Sequence, residues 1–246
     1  QATDRYWANT GTDFNANASW TLSLAPGTSD RAYFTTAMAT QPTVTASKSV
    51  HSLFFTPAAG TPATNATSAG GGYILSGAPG VTLTLTASGF NWNGVYMMEQ
   101  CTTGTNIITA NLAFPDVTSL TYRYANILAG KLEISGSITG NSNNVFRVEG
   151  ATNCTGVVLS GDNTGFTGGF AKGTPYPLYI KNAKAVSKLT RLEFTQHGSV
   201  AALNRFVNQT GGPLVFENNP NLYLSGSDGI TLESPYPIDF GTGTVS

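Results

Sequence analysis

The stretch VVLSGDNTGFTGGF, residues 157–170, places a short apolar run directly before a run of turn-forming residues. Val157 and Leu159 are the apolar residues that we expect to fill a core. Gly, Asn and Asp follow them, and these residues accept the backbone conformations of tight turns. A strand this short does not bury its apolar side alone, so we expect it to belong to a coil that stacks on neighbouring coils.

Similar phrases recur along the chain at an irregular spacing of about 20–30 residues. Each contains a short strand that ends in Ser-Gly, followed by a turn and often by a second strand. These phrases are YILSGAPGVTLTLTASG (73–89), KLEISGSITGNSNN (131–144), VVLSGDNTGFTGG (157–169) and LYLSGSDGITLES (222–234). Loose repeats of this length are typical of a solenoid, in which Gly and Asn occupy the corners of each coil.

We therefore predict an all-β fold, a single-domain right-handed parallel β-helix with about 9–10 coils. Residues from the alternating apolar strands are expected in its core, namely Leu83, Leu132, Leu159 and Val215. The alternative is an antiparallel β-sandwich, because the same composition permits it. The stretch NAKAVSKL (182–189) is the one that favours helix, as a single turn.

The strand pattern has the same character throughout, which predicts one β-solenoid domain over residues 1–246. Within it we expect an N-terminal capping segment (1–36), a long loop (56–72) rich in Ala, Gly, Pro and Thr, and a C-terminal strand or tail (230–246). Because an open solenoid end exposes apolar side chains and strand edges, aromatic residues of the N-terminal segment are expected to close it. These are Tyr6, Trp7 and Trp20.

The low content of charged residues excludes several classes of function. Only 10% of the 246 residues are charged and the formal net charge is -1, whereas ordinary globular proteins are about 25% charged. No basic patch is present to attract nucleic acid, and no apolar run is long enough to insert into a membrane. The sequence starts at Gln1, which favours a mature chain after removal of a signal peptide. We predict a secreted protein, extracellular or on the cell surface.

The two cysteines, Cys101 and Cys154, leave two alternatives open. An even number of cysteines in a secreted chain indicates a disulfide. Two buried thiols are the other interpretation. The two cysteines are 53 positions apart in sequence, which is about two coils of a solenoid and strains the Cα separation of under about 7 Å that a disulfide needs.

Acceptor motifs for N-glycosylation occur at four asparagines, and several are expected by chance in a chain so rich in Asn and Thr. They are Asn17, Asn65, Asn153 and Asn208. A different kind of site is indicated by NWNG (91–94), a turn that would expose Trp92 as an aromatic platform for a sugar.

Several phrases in order resemble the autotransporter-associated β-strand repeat proteins. They are TVTASKSVHSLFFT (43–56), YILSGAPGVTLTLTASG, NIITANLAF (106–114), and LEISGSITG followed by VVLSGDNTGFTGG. The segment YWANTGTDFNANASWTLSLAPGTSDRAYFTT (6–36) is similar to the one that precedes the first coil in that family. The resemblance covers most of the chain. It implies a secreted or surface-displayed, passenger-type right-handed β-helix, generally without known catalysis.

No residue pattern points to catalysis. The acidic residues are scattered, with no pair of carboxylates close in sequence, whereas catalytic β-helices usually group acids and bases on one face. QHGS (196–199) is the nearest approach to a catalytic motif, and we interpret its histidine as structural. We predict no catalytic residue, no cofactor and no metal site.

Three functions are compatible with these observations. The first is a non-catalytic structural subunit of a fibre, sheath or surface layer that polymerises through the solenoid ends. Its self-association residues would lie in the apolar C-terminal tail, at Ile238, Phe240 and Val245. The second is an adhesin-like passenger that binds glycans through Trp92. The third is a β-helix enzyme acting on polysaccharides, a lyase or a hydrolase.

Overall fold

The computed structural model describes residues 3–56, 71–87, 97–173, 176–195, 205–225 and 230–244. The chain is 50% strand and 4% helical, and its parallel strands form a β-solenoid of about 8 turns. The fold class predicted from the sequence is therefore confirmed, with slightly fewer coils than expected. Every strand pair within the described residues is parallel, which is incompatible with the antiparallel sandwich. In the described residues, no helix has the length and apolarity needed to cross a membrane.

The strands are short, except for three that bend around a corner of the coil. In chain order they are β1 (Thr3–Tyr6), β2 (Asp30–Phe34), β3 (Thr43–Val44), β4 (Lys48–Val50), β5 (Ser52–Phe55), β6 (Ile74–Gly77), β7 (Thr82–Leu85), β8 (Met98–Ile108), β9 (Asn111–Ala113), β10 (Thr121–Ile134), β11 (Ile138–Thr139), β12 (Asn144–Leu159), β13 (Gly169–Lys172), β14 (Leu178–Ile180), β15 (Arg191–Thr195), β16 (Arg205–Asn208), β17 (Leu214–Val215), β18 (Asn221–Ser225), β19 (Thr231–Glu233) and β20 (Ile238–Asp239). Single turns of 3-10 helix lie at Asn17–Ser19, Thr21–Ser23 and Ala183–Ala185, and the last falls within the stretch predicted to form one helical turn.

Each coil has three faces. The first face is the ladder β1-β2-β5-β8-β10-β12-β13-β15-β18. The second contains β3, β6, the second halves of β8, β10 and β12, and then β14, β16 and β19. The third face contains β4-β7-β9-β11 and, near the C-terminus, β17 with β20. The first face runs from one end of the described solenoid to the other.

The core consists of ladders of side chains that occupy equivalent positions in successive coils. On the second face, one ladder is made by Leu75, Ile108, Ile134, Leu159 and Ile180. All five are buried. Such side chains alternate with outward-facing residues because successive residues of a strand point to opposite sides. Leu83 and Leu132 are also buried, so three of the four core residues predicted from sequence are confirmed.

Val215 is a correction to the predicted core. Its side chain is 45% exposed, whereas its neighbours Leu214 and Phe216 are buried. The strand was identified correctly, but its inward and outward positions were exchanged. An error of one residue has this effect because the side-chain period of a strand is two.

The Ser-Gly phrases form one corner of the coil, between the second and third faces. Gly77 ends β6, and Gly136 and Gly161 follow β10 and β12 at the equivalent positions of the second face. A Cβ at Gly136 would lie 2.0 Å from the carbonyl oxygen of Ala110, so this corner has no space for a side chain. The fourth phrase differs, because its LYLS segment is β18 of the first face. The phrase therefore does not mark the same corner in every coil.

A buried asparagine connects three coils at a neighbouring position. The Asn163 Oδ1 atom accepts a hydrogen bond from the backbone N–H of Ile138 at 2.7 Å. Its Nδ2 atom donates to the carbonyl oxygen of Ala185 at 3.2 Å. Asn163 is itself buried, and these bonds satisfy backbone groups that the turns leave unpaired. The turn residues after β12 thus bind the stack together as well as changing the chain direction.

The N-terminal end of the core is covered by aromatic rings. Trp7 and Trp20 form an antiparallel bridge, and their rings meet edge to face at 5.2 Å between centroids. The Trp20 Nε1 atom donates to the carbonyl oxygen of Phe14 at 2.9 Å. All three residues are buried. Tyr6 differs from the sequence interpretation, because it stacks on Tyr33 at the outward side of the first face.

The C-terminal end of the core is less covered. Leu224 is 47% exposed and Leu232 is 46% exposed, although they stand opposite the buried Phe194 and Phe206 in the inward ladders. Part of this end is covered by the chain itself, since the N–H of Leu222 donates to the carbonyl oxygen of Thr244 at 2.8 Å.

Candidate functional site

The outward side of the first face carries a cluster of aromatic and charged side chains. We call it the tyrosine–arginine face and define it by seven residues of β10, β12, β15 and β18. They are Tyr122, Tyr124, Arg147, Glu149, Arg191, Glu193 and Tyr223. Their strand neighbours Phe146, Val148 and Leu192 are buried in the core cluster, and Arg123, between the two tyrosines of β10, is buried as well. The alternation of the strands therefore places all seven on one side.

Strand β13 forms the floor of this face. Its outward positions, Gly169 and Ala171, and the following Gly173 have small side chains or none. A Cβ at Gly173 would lie 2.3 Å from Oε2 of Glu149, and one at Gly169 would lie 2.9 Å from Cβ of Arg191. The side chains of β12 and β15 therefore lie over β13.

One half of the face is centred on Glu193. The Tyr122 hydroxyl donates to Oε1 and Oε2 of Glu193 at 2.9 and 3.2 Å, and Arg191 forms an ion pair with the same carboxylate. The Arg191 guanidinium carbon lies 3.8 Å from the ring centroid of Tyr223. Glu193 is only 4% exposed. Burial and then the hydrogen bond to Glu193 raise the pKa of the Tyr122 phenol, so it remains a hydrogen-bond donor at neutral pH.

The other half is centred on Arg147. This residue pairs with Glu149 on the same strand. Its guanidinium carbon lies 5.9 Å from the Tyr122 ring centroid and 5.8 Å from that of Tyr124. Cation–π contacts of this kind stabilise the position of the ring and of the guanidinium together. The face is thus a rigid set of tyrosine rings with two neutralised Arg–Glu pairs.

The core contains a second polar cluster beneath the first face. Lys172 points inward, opposite Val148 and Phe194, and its Nζ atom lies 4.5 Å from the ring centroid of Tyr176. Burial lowers the pKa of Lys172 to about 7, and burial raises the pKa of the nearby Cys154 thiol to about 11. The Tyr176 hydroxyl donates to the carbonyl oxygen of Val148 at 2.8 Å. Because Lys172, Cys154 and Tyr176 are all buried, the cluster offers no surface to a ligand.

The cysteine pair predicted as one alternative does not form a disulfide. Cys101 on β8 stands opposite Ala129, and Cys154 on β12 stands opposite Gly130. Strand β10 therefore lies between them, and two strand spacings separate their backbones by about 10 Å. This exceeds the reach of a disulfide, so the interpretation as two buried thiols is the correct one.

The predicted glycosylation candidates differ in their surroundings. Asn17 and Asn153 are exposed. Asn208 is buried, and its amide donates to the carbonyl oxygen of Gly212 at 2.8 Å and to Oγ of Ser234 at 2.9 Å. The folded chain therefore does not present Asn208 for modification, which corrects that candidate. Asn65 lies outside the described residues, as does the predicted sugar platform Trp92.

The predicted self-association residues are partly engaged within the chain. Ile238 pairs with Leu214, and the Phe240 ring stacks on Phe216 at 5.0 Å between centroids. Both are half-buried and pack against the core. Val245 lies outside the described residues.

Sequence reasoning missed the tyrosine–arginine face. The signal was present as the phrase R-x-E, which occurs as Arg147-Val148-Glu149 and as Arg191-Leu192-Glu193. In a strand this spacing places both charges on one side, with an apolar residue between them facing the core. The two phrases lie on the same face only because of the register between coils. That register cannot be predicted from the local sequence.

Comparison of the chain with protein-family models, with curated proteins and with solved structures finds no match.

Proposed function

We propose that the chain is a secreted, non-catalytic structural subunit that associates head to tail through its solenoid ends into an extracellular fibre, sheath or surface layer. The observation that carries the proposal is the exposed apolar surface of the last coil. Leu224 and Leu232 occupy core positions there, yet about half of each side chain meets water. Burial of such side chains is favourable by about 25 cal/mol per Å² of apolar surface.

The opposite end offers a complementary surface. Leu22 is 88% exposed and has a left-handed backbone with φ of 60°, a conformation that non-glycine residues adopt at a cost. Leu24, two residues later, is also exposed. An apolar side chain held outward on the capped end is suited to contact the uncovered coil of a second copy.

The strand order supports a head-to-tail arrangement. β1 and β18 are the two terminal strands of the same first face, and each is paired on one side only among the described strands. Placing β1 of one copy beside β18 of another would continue a parallel ladder. Such a contact joins two different surfaces and does not close on itself, so it propagates into a filament. The resemblance to passenger-type repeat proteins favours an extracellular role for such a rod.

Two variants at opposite ends test the proposal. We expect the unchanged chain to form filaments in electron micrographs and large species in light scattering, and Leu22→Ser or Leu232→Ser alone to prevent growth. In a mixture of the two variants, the intact N-terminal end of Leu232→Ser can bind the intact last coil of Leu22→Ser. The mixture should therefore yield dimers and no filaments. Val215→Ser, on the side wall, is the matched control and should assemble normally.

The results that would contradict the proposal are distinct. A chain that stays monomeric at high concentration excludes self-association. If Leu22→Ser assembles like the control while Leu232→Ser does not, the contact is tail to tail and the head-to-tail arrangement is wrong.

A further inference from the structure

We propose that residues 241–244, which we call the C-terminal strap, form an autoinhibitory contact that must leave the last coil before a second copy can bind there. The strap lies along the open edge of β18, where the head-to-tail contact would place β1 of the next copy. This inference rests on the proposed assembly and adds its regulation, because the chain's own strap closes the end that has to grow.

The open edge of β18 has a backbone donor that the strap already uses. The N–H of Asn221 points back along the rod and donates to the carbonyl oxygen of Thr190 at 3.0 Å. Because successive N–H groups of a strand point to opposite edges, the N–H of Leu222 points toward the open end. It donates to the carbonyl oxygen of Thr244 at 2.8 Å. The strap therefore lies in the place of the next strand, and β1 of a second copy cannot pair there while the strap is bound.

A side-chain contact and a glycine hold the strap close to the last coil. The Thr244 hydroxyl donates to Oδ1 of Asn221 at 2.8 Å, and both residues are exposed. A Cβ at Gly243 would lie 2.0 Å from the carbonyl oxygen of Pro220, a backbone atom that cannot rotate away as the end of a side chain can. The strap fits against the last coil because Gly243 has no side chain, and an added methyl group would force it away.

The strap covers the edge of the last coil but not its core. Its residues, Gly-Thr-Gly-Thr, carry no apolar side chain, and Leu224 and Leu232 stay about half exposed. A second copy would replace the hydrogen bonds of the strap with those of a β1 ladder and would also remove the two leucines from water, which favours binding. The strap therefore slows growth without preventing it.

Replacement of Gly243 by alanine tests the strap while keeping the chain length. The added methyl group would meet the Pro220 carbonyl oxygen and shift the strap to its open state. Because only subunits with an open strap accept a second copy, we expect filaments to grow at least about tenfold faster than those of the unchanged chain. Gly212→Ala, at a position with no atom within 4 Å of a Cβ, is the matched control and should grow at the unchanged rate. Light scattering measures both rates.

A reversible cross-link tests the opposite state of the strap. The double variant Asn221→Cys with Thr244→Cys replaces two side chains that already meet, so oxidation should join them within one chain. We expect the oxidised double variant to remain monomeric and a reductant to restore its growth. The unchanged chain, in which Cys101 and Cys154 are buried, is the control and should grow equally with and without the reductant.

The outcomes separate this inference from the proposed assembly. If the unchanged chain forms no filaments, both are wrong. If it does form filaments, the assembly stands, and the inference is overturned when Gly243→Ala grows no faster than Gly212→Ala or when the oxidised double variant grows like the reduced one. A double variant that forms no bond within the chain, as measured by mass spectrometry, also overturns the inference, because the strap would then not lie along β18.

Discussion

A Cβ atom at Gly161 would lie 2.1 Å from the carbonyl oxygen of Gly136, one coil away. Real Cβ atoms do not approach a backbone oxygen so closely, and a backbone oxygen cannot move aside as a flexible side chain can. The two glycines therefore define how tightly successive coils approach at this corner. The Ser-Gly phrases at these two glycines therefore mark, in the sequence, where adjacent coils approach closely.

Replacing Gly136 by alanine tests this packing. The added methyl group would lie 2.0 Å from the Ala110 carbonyl oxygen, and we expect a loss of about 1–3 kcal/mol or more in the free energy of unfolding. Gly212→Ala is the matched control, because no atom lies within 4 Å of a Cβ there; it should change stability by less than about 0.5 kcal/mol. Urea denaturation measures both. Equal stability of the two variants would show that the corner can relax.

Leu159 tests the core ladder of the second face. It lies between Ile134 and Ile180 in adjacent coils, and we expect Leu159→Ala to cost about 2–5 kcal/mol because it leaves a cavity. Val215→Ala, at the exposed position, should cost less than about 0.5 kcal/mol. Thermal and urea unfolding compare the two. A small effect at Leu159 together with a large one at Val215 would show that the register is wrong.

Lys172 makes stability depend on pH. Burial lowers its pKa in the folded state to about 7 from the ordinary lysine value of 10.5, so between these values the unfolded chain binds a proton that the folded chain does not. The free energy of unfolding therefore rises with pH from about 7 upward, and the cost of the buried ammonium below pH 7 is of the order of 5 kcal/mol. We expect Lys172→Met to be more stable at pH 6 and to lose the slope between pH 7 and 9.5.

Lys181 provides the control for this prediction. Its side chain is half exposed and pairs with Glu133, so Lys181→Met should keep the slope of the unchanged chain. Denaturation curves at a series of pH values give the measurement. An identical slope in Lys172→Met and in the unchanged chain would assign the pH dependence to other groups.

The two cysteines are expected to react only after unfolding. Both are buried, and burial raises the pKa of the Cys154 thiol to about 11, so little of the reactive thiolate is present at pH 8. An alkylating reagent should therefore label neither residue in the native chain, and both in denaturant without a reductant. Mass spectrometry counts the added groups. Absence of labelling in denaturant would indicate that the thiols are oxidised.

The coarse architecture could be predicted because it depends on local patterns. The alternation in VTLTLT and KLEIS identified strands with Leu83 and Leu132 inward, since the side-chain period of a strand is fixed by covalent geometry. The Ser-Gly corner was identified for the same reason, as glycine is the residue that tolerates close backbone approach. Val215 was misplaced because PLVFEN is too short for alternation alone to decide which residues face inward.

The tyrosine–arginine face depends on register between residues far apart in sequence. Tyr122 and Glu193 come together because β10, β12, β13 and β15 stack in order with Gly169 and Ala171 between them. No local pattern states that order. The same holds for Lys172, whose charge suggests an outward position. Phe170, two residues earlier on the same strand, is buried. Because residues two apart in a strand point to the same side, Lys172 also points inward.

The uneven length of the coils has a consequence for the order of folding. Leu53 and Met98 are ladder neighbours about 45 residues apart in sequence, whereas Val145 and Gly169 are about 24 apart. Because each doubling of the length of a closed loop costs about 0.6 kcal/mol more in chain entropy, the longer coil is the more costly one to close. Strand β10 pairs with β8 and β12 along most of its length. Pairing of these three strands therefore forms the largest number of hydrogen bonds and side-chain contacts per coil. We expect β8, β10 and β12 to form the nucleus and β1, β2 and β5 to join later. Pulse-labelling hydrogen exchange during refolding should protect the β10 amides before those of β2, and the reverse order would place the nucleus at the capped end.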